Sequence, residues 1–319
     1  MSEAILLVSF VGPEGHDDVI PFLENVLRGR NVPRERMMEV AQHYHHFGGV
    51  SPINQQNRAL LFALRDLLAK SGPNLPVYWG NRNWHPMLPD TMAQMQADGI
   101  TKAYAFVTSA FSSYSGCRQY RENIAAAGPG PEVLKLRVYY NHPGFIETMI
   151  DNVKAKLAIA PDAELIFTAH SIPMSMADSC KYVAQLQEAS RLVAAAVGKP
   201  FQLAFQSRSG PPTQPWLEPD INDVLSDISA SAVIVVPIGF VSDHMEVIHD
   251  LDTEARQTAE LRGIQFLRAA TAGCDPRFVA MIRELVLERM GQTAQRALGT
   301  FGPSHDVCPL DCCPAPARR

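Results

Sequence analysis

The feature that most limits the fold of this chain is an alternation. Near-continuous apolar runs occur at 4–10, 76–81, 102–109, 136–140, 164–169, 201–207, 231–239 and 264–269. Between them lie amphipathic stretches near 17–28, 54–70, 88–98, 115–127, 143–158, 179–197 and 244–262, with a last one at 275–290. Strands that are apolar on both faces belong to parallel sheets covered by helices, because parallel neighbours need a crossover connection. The pattern predicts an α/β protein with two rounds of four strands, the first ending near 140 and the second starting near 160. A chain of 319 residues is more than one compact core usually holds. The expected division is 1–142, 143–297 and a tail at 298–319 that is rich in Pro and Cys and has no periodicity.

Composition removes several classes. Hydrophobic residues make up 46% and charged residues 19%, as in an ordinary globular protein, and the net charge of −5 gives no reason to expect nucleic acid. No apolar run approaches the roughly 20 residues that span a bilayer. The opening "MSEAILLVSF" has no basic segment before its strand pattern, so no signal peptide is expected and the expected compartment is the cytoplasm. Of the six cysteines, Cys180 and Cys274 read as buried small apolar residues, while Cys308, Cys312 and Cys313 crowd the tail. In a cytosolic protein such a cluster points to metal rather than disulfides.

Ligands of open α/β sheets lie beyond the carboxyl ends of the strands. The loops there are 10–15, 79–86, 109–116, 170–173, 206–216 and 239–246, and none carries a GxGxxG or P-loop, so nucleotide binding is not favoured. His170 leaves a strand within "FTAHSIP", where Pro173 biases the loop toward extended backbone. A lone histidine there is more often structural than functional. In the stretch 237–255, Asp243 and Glu246 form an Asp-x-x-Glu helix start, and Glu246, Asp250 and Glu254 follow at i, i+4 and i+8 with His244 and His249 in the same turns. That spacing fits a solvated acidic face or a track that handles cations or protons. Both stretches leave the same sheet edge, which places His170 and Glu246 facing each other across a cleft. The stretch 204–220, with four prolines and Trp216, reads as a rigid wall for a large ligand. "HYHHFGGVSPIN", "WGNRNWHP" and "FSSYSGCRQYREN" mix aromatics, small residues and arginine, which suits a broad flat pocket with anion-binding edges. Arg82 and Arg118 read equally well as surface ion-pair residues.

Together, "FGGVSPIN", "GNRNWHP", "FTAHSIP", "QSRSGPPTQPWLEP" and "GFVSDHMEVIHDLDTEA" resemble the ferrochelatases, which insert ferrous iron into a porphyrin. The resemblance covers nearly the whole chain. It implies two Rossmann-like domains, each a four-stranded parallel sheet flanked by helices, with the porphyrin in a cleft between them. The family's essential histidine and glutamate fall on His170 and Glu246, and its acidic string on Asp250 and Glu254. These four are the expected Fe2+ ligands or transit path. Porphyrin contacts are expected at Phe10, Ser51, Arg82, Trp84, Ser112, Tyr114, Arg118 and Trp216. Some coproporphyrin III users have a tyrosine near position 10; Phe10 offers no phenolate, so an axial ligand to product iron would come from elsewhere. The tail resembles that of members carrying a [2Fe–2S] cluster, with Cys117, Cys308, Cys312 and Cys313 as the thiolates. The loops and tail favour coproporphyrin III over protoporphyrin IX, and a coproheme decarboxylase is an expected acceptor of the product. A porphyrin or haem carrier without turnover is the reading from a different class.

Overall fold

The computed structural model describes residues 2–29, 32–211 and 213–316. Met1, Arg30, Asn31, Pro212 and 317–319 lie outside the described residues; they include one proline of the expected 204–220 wall and the end of the expected tail. The elements form two compact units: Met1–Thr108 with Tyr120–Lys135 and Ser242–Met245, and Ser109–Gln119 with Leu136–Val241 and Glu246–Arg319.

The first unit holds β1 (Ser2–Ser9), α1 (His16–Val26), α2 (Arg34–His46), α3 (Ile53–Ser71), β2 (Val77–Asn81), α4 (Leu88–Ala97), β3 (Ile100–Val107), α5 (Gln119–Ala126) and β4 (Glu132–Lys135). Its sheet runs β2-β1-β3-β4, all parallel. In β1 Ala4 to Val8 are fully buried, as the run without polar alternation requires of a strand covered on both faces. Burying each of its Ile, Leu and Val side chains contributes about 1.5–3 kcal/mol against exposure.

The second unit holds α6 (Pro143–Leu157), β5 (Glu164–His170), the short α7 (Met174–Ala177), α8 (Tyr182–Ala196), β6 (Phe201–Gln206), α9 (Ile221–Asp227), β7 (Ala232–Val236), α10 (Arg256–Leu261), β8 (Gln265–Arg268) and α11 (Pro276–Arg289). Its parallel sheet runs β6-β5-β7-β8. Two four-stranded parallel sheets flanked by helices are the architecture the alternation predicts.

Three expectations need correction. Residues 136–140 were expected to be a strand; β4 ends at Lys135, and Leu136, Val138, Tyr139 and Tyr140 are buried in non-strand backbone. The stretches 115–127 and 244–262 are not single α-helices: Tyr114–Arg118 and Val247–Ala255 are π-helical, and α5 and α10 follow them. Cys180 is half-buried and Cys274 exposed, so neither is a buried apolar filler.

The chain after α11 is docked on the second unit although it lacks periodicity. Arg137 donates to Glu288 at 2.7 and 3.1 Å, both side chains 1% exposed, and also to the Arg296 carbonyl at 2.8 Å. Removing one partner of such a buried pair leaves an uncompensated charge, a loss of about 3–5 kcal/mol. Leu298 N–H donates to the Asn141 carbonyl, and the Asn141 amide donates to the carbonyls of Leu298 and Gly302. Among the described residues, no helix is long and apolar enough to cross a membrane.

Candidate active site

His170 is the last residue of β5, paired in register with Gln206 of β6. Backbone bonds fix the exit of the strand: Ser171 N–H donates to the Gln206 carbonyl at 2.7 Å, and Gly239 N–H donates to the Thr168 carbonyl at 3.0 Å. The next residues form a short antiparallel ladder with the Trp216 loop. Pro173 bridges Trp216, Leu217 N–H donates to the Ile172 carbonyl, and Met174 N–H to the Pro215 carbonyl. Pro173, which has no N–H to offer and favours extended backbone, suits this ladder. Trp216 lies over Gly210, where an added Cβ would meet the indole at 2.3 Å, so glycine is required there.

The histidine and the glutamate touch. His170 Nε2 lies 3.6 Å from Glu246 Oε1, with side chains 31% and 49% exposed. The sequence places them facing each other; the structure has them in direct contact, as one pair within the second unit. Nδ1 of His170 lies 2.5 Å from the Ser171 carbonyl, which accepts from an Nδ1–H and leaves the Nε2 lone pair on the glutamate side. Burial lowers the His170 pKa, but the charge and hydrogen bond of Glu246, with the Ser171 carbonyl and Asp250, outweigh it and raise the pKa above 6.5. Two residues that the sequence reading overlooked hold the backbone of the pair. Tyr182 Oη donates to the His170 carbonyl at 3.1 Å, and Gln206 Nε2 donates to the Glu246 carbonyl at 3.2 Å.

Glu246 is the N-cap of the π-helical segment and makes no side-chain cap, so the Asp243–Glu246 capping signal is not used in that form. Long π-helical runs are rare and concentrate at functional sites. Ser207, at φ 63°, donates to Asp250 through a short contact. Asp250 Oδ1 lies 3.2 Å from His249 Nδ1, and Glu254 Oε1 is 3.9 Å from the same nitrogen. The hydrogen bond that the His249 ring donates to Asp250 raises the His249 pKa, and burial raises that of Glu254. The donor atoms of His249, Asp250 and Glu254 lie within 4.8 Å of one another, a hard-donor group continuing from the pair. Asp243, on the first unit, donates its backbone N–H to Gln56.

The expected porphyrin contacts divide between the two units. In the first unit, Phe10 is 38% exposed and Arg82 stacks its guanidinium over the rings of Phe10 and Tyr120 at 5.9 and 5.0 Å. Trp84 packs edge-on to Phe22. Ser51 is buried against Gly12, where a Cβ would come within 2.5 Å of it. In the second unit, Ser112 exchanges two hydrogen bonds with Gln185, and Tyr114 opens the first π-helical turn. Arg118, expected as a porphyrin contact or a surface ion-pair residue, donates to the carbonyls of Leu310 and Cys312 and so holds the tail.

Close packing beside the pair makes one prediction. An added Cβ at Gly239 would lie 2.5 Å from the Ala169 Cβ, one residue before His170. Gly239→Ala should cost about 1–3 kcal/mol by overpacking and displace the end of β5. Denaturant midpoints and insertion rates measured together should both fall, with the loss of rate exceeding the unfolded fraction.

The ferrochelatase family model matches residues 2–290. A ferrochelatase of Rhodopirellula baltica is 57% identical over 332 residues, covering 99% of this chain and 95% of that one. A coproporphyrin III ferrochelatase of Streptomyces coelicolor is 53% identical over 354 residues, covering 99% and 94%. Among solved structures, CbiX, the terminal enzyme for siroheme biosynthesis in denitrifying bacteria, aligns with a TM-score of 0.54 at 16% identity, covering 89% and 98%. SirB of Bacillus subtilis aligns with a TM-score of 0.53 at 14% identity, covering 92% and 98%. At such identities the structures speak for the fold alone, that of the chelatases. The family match and the full-length relatives settle the identity: the chain belongs to the ferrochelatase family, enzymes of haem biosynthesis that insert Fe2+ into a porphyrin.

Proposed function

We propose that this ferrochelatase acts on coproporphyrin III, with His170 as the proton acceptor and Glu246 as its partner. The observation that carries the roles is the 3.6 Å contact between His170 Nε2 and Glu246 Oε1 at the end of β5. The names of several relatives near 50% identity support the substrate. Insertion forms iron–nitrogen bonds and releases two pyrrole protons. The Nε2 lone pair of neutral His170 takes a proton, and the imidazolium formed is held by the glutamate beside it. One imidazole carries one proton at a time. The partly exposed Glu246 passes the first to solvent before the second is taken. His249, Asp250 and Glu254 offer nitrogen and oxygen donors acceptable to ferrous iron as it sheds water. The substrate is tested by turnover of coproporphyrin III and protoporphyrin IX side by side. Faster insertion into the tetracarboxylate is expected, and faster insertion into the dicarboxylate would reverse the assignment. We take the cytoplasm as the compartment, a coproheme decarboxylase as the acceptor of the product, and 1–142, 143–297 and 298–319 as the domain limits.

A [2Fe–2S] cluster is part of the proposal. Cys312 Sγ and Cys313 Sγ lie 3.7 Å apart. Two sulfurs on one tetrahedral centre with bonds of about 2.3 Å are expected about 3.8 Å apart, so the pair fits one metal. Cys308 Sγ lies within 4.8 Å of Cys312 Sγ, and the buried Cys117 is close enough for its charge to help raise the Cys313 pKa, after burial and Cys312. Cys117, Cys308, Cys312 and Cys313 would hold the cluster, which when bound supplies a one-electron redox centre and four links among tail and π-helical turn. Protein made anaerobically with ample iron should be coloured, and Cys312→Ser should bleach it; a colourless wild type contradicts the cluster.

A further inference from the structure

The tail carries a donor that the cluster does not use. His305 Nε2 lies 3.7 Å from Cys312 Sγ, and the donor atoms of His305, Cys308 and Cys312 all lie within 4.8 Å of one another. In a tetrahedral site with metal–sulfur and metal–nitrogen bonds of about 2.3 and 2.1 Å, sulfur and nitrogen are about 3.6 Å apart. The observed His305–Cys312 separation therefore matches one edge of a single-metal tetrahedron. A binuclear cluster divides its four thiolates between two irons already bridged by sulfide, and leaves no position for an imidazole beside a thiolate on the same iron. The backbone around the donors is held in place. Arg118 donates to the carbonyls of Leu310 and Cys312, Cys312 N–H to the Pro309 carbonyl, and the Gln295 amide to Asp306 next to His305. His305 is exposed and both cysteines are half-buried, so an ion can reach them.

We propose that His305, Cys308 and Cys312 form a mononuclear Zn2+ site, with water as the fourth ligand, that excludes the iron–sulfur cluster by taking two of its thiolates. Soft thiolates with an imidazole favour Zn2+ over the harder Mg2+ and Mn2+. The competition, though not the site itself, rests on the cluster reading above. The two centres share Cys308 and Cys312 but differ in one residue each: the cluster needs Cys117 and the zinc site needs His305.

The test is a Co2+ titration of cluster-free, full-length protein, followed through thiolate-to-cobalt charge transfer, a signal that hard-donor sites elsewhere do not produce. One thiolate-bound Co2+ should form per chain, with tetrahedral bands and charge transfer that Zn2+ abolishes. His305→Ala and Cys308→Ser should weaken binding about tenfold or more, while Cys117→Ser should bind as wild type. Absence of the charge-transfer signal in wild type overturns the proposal. So does a His305→Ala variant that binds normally, or a Cys117→Ser variant as weak as His305→Ala. In parallel reconstitution, Zn2+-loaded protein should take up the cluster at least tenfold more slowly than cluster-free protein, and equal uptake refutes the competition. Failure of unloaded wild type to form any cluster counts against the cluster alone, since the cobalt result decides the site independently.

Discussion

His170→Ala should still bind the porphyrin but lose metal insertion by about two to four orders of magnitude, the usual scale of a positioned acid–base group. The side chain is about one-third exposed and ends its strand, so truncation leaves no large cavity. Its backbone contacts with Tyr182 and Gln206 use main-chain atoms that alanine keeps, and only the ring contacts to Glu246 and the Ser171 carbonyl are lost. The loss should therefore fall on the insertion rate and not on stability or on porphyrin affinity. Fluorescence quenching on titration with porphyrin gives the affinity, and single-turnover insertion gives the rate. Parallel losses in both would mean that His170 is a binding residue. A carrier without chemistry would show no turnover in wild type or variant.

Glu246→Gln should slow insertion and change its pH dependence. In the wild type, burial lowers the His170 pKa while Glu246, the largest opposing influence, raises it, with a net shift above 6.5. The base form is the active one, so the rate should rise with pH through a midpoint above 6.5. Neutral glutamine removes the carboxylate, leaves burial less opposed, and should move the midpoint down. A weaker base also takes protons less well, so the plateau should fall although more of the histidine is neutral. The linked effect on folding has the opposite sense to activity. Stability from the protonated pair is present at acid pH and is lost as pH rises through the folded-state pKa, so Glu246→Gln should cost most stability on the acid side. A variant whose pH–rate midpoint stays with the wild type would place the carboxylate outside the proton-accepting unit.

The sheets were legible because their strands are apolar runs buried on both faces, as Ile5 to Val8 and Val233 to Val236 are. The same signal misled at 136–140, where apolar residues are buried under packing rather than paired in a ladder. Helix α2 escaped notice because its mostly polar sequence buries only Met37 and Ala41. The π-helical turns were invisible because spacing that reads as i, i+4 in an α-helix is also present in the longer repeat. His170 and Glu246 stand out through the strand-end loops and the resemblance, yet periodicity could not report that they touch. Tyr182 and Gln206 act through backbone carbonyls, which leaves no signature in side-chain spacing. His305 stood in a segment without periodicity, and its cysteine neighbours drew the attention.

The central claim is that an imidazole at position 170 takes the pyrrole protons. Chemical rescue tests it most directly. In single-turnover insertion by His170→Gly with porphyrin already bound, added imidazole should restore rate in proportion to the concentration of its neutral form. A rate that stays flat as imidazole increases, with porphyrin still bound, would contradict the account.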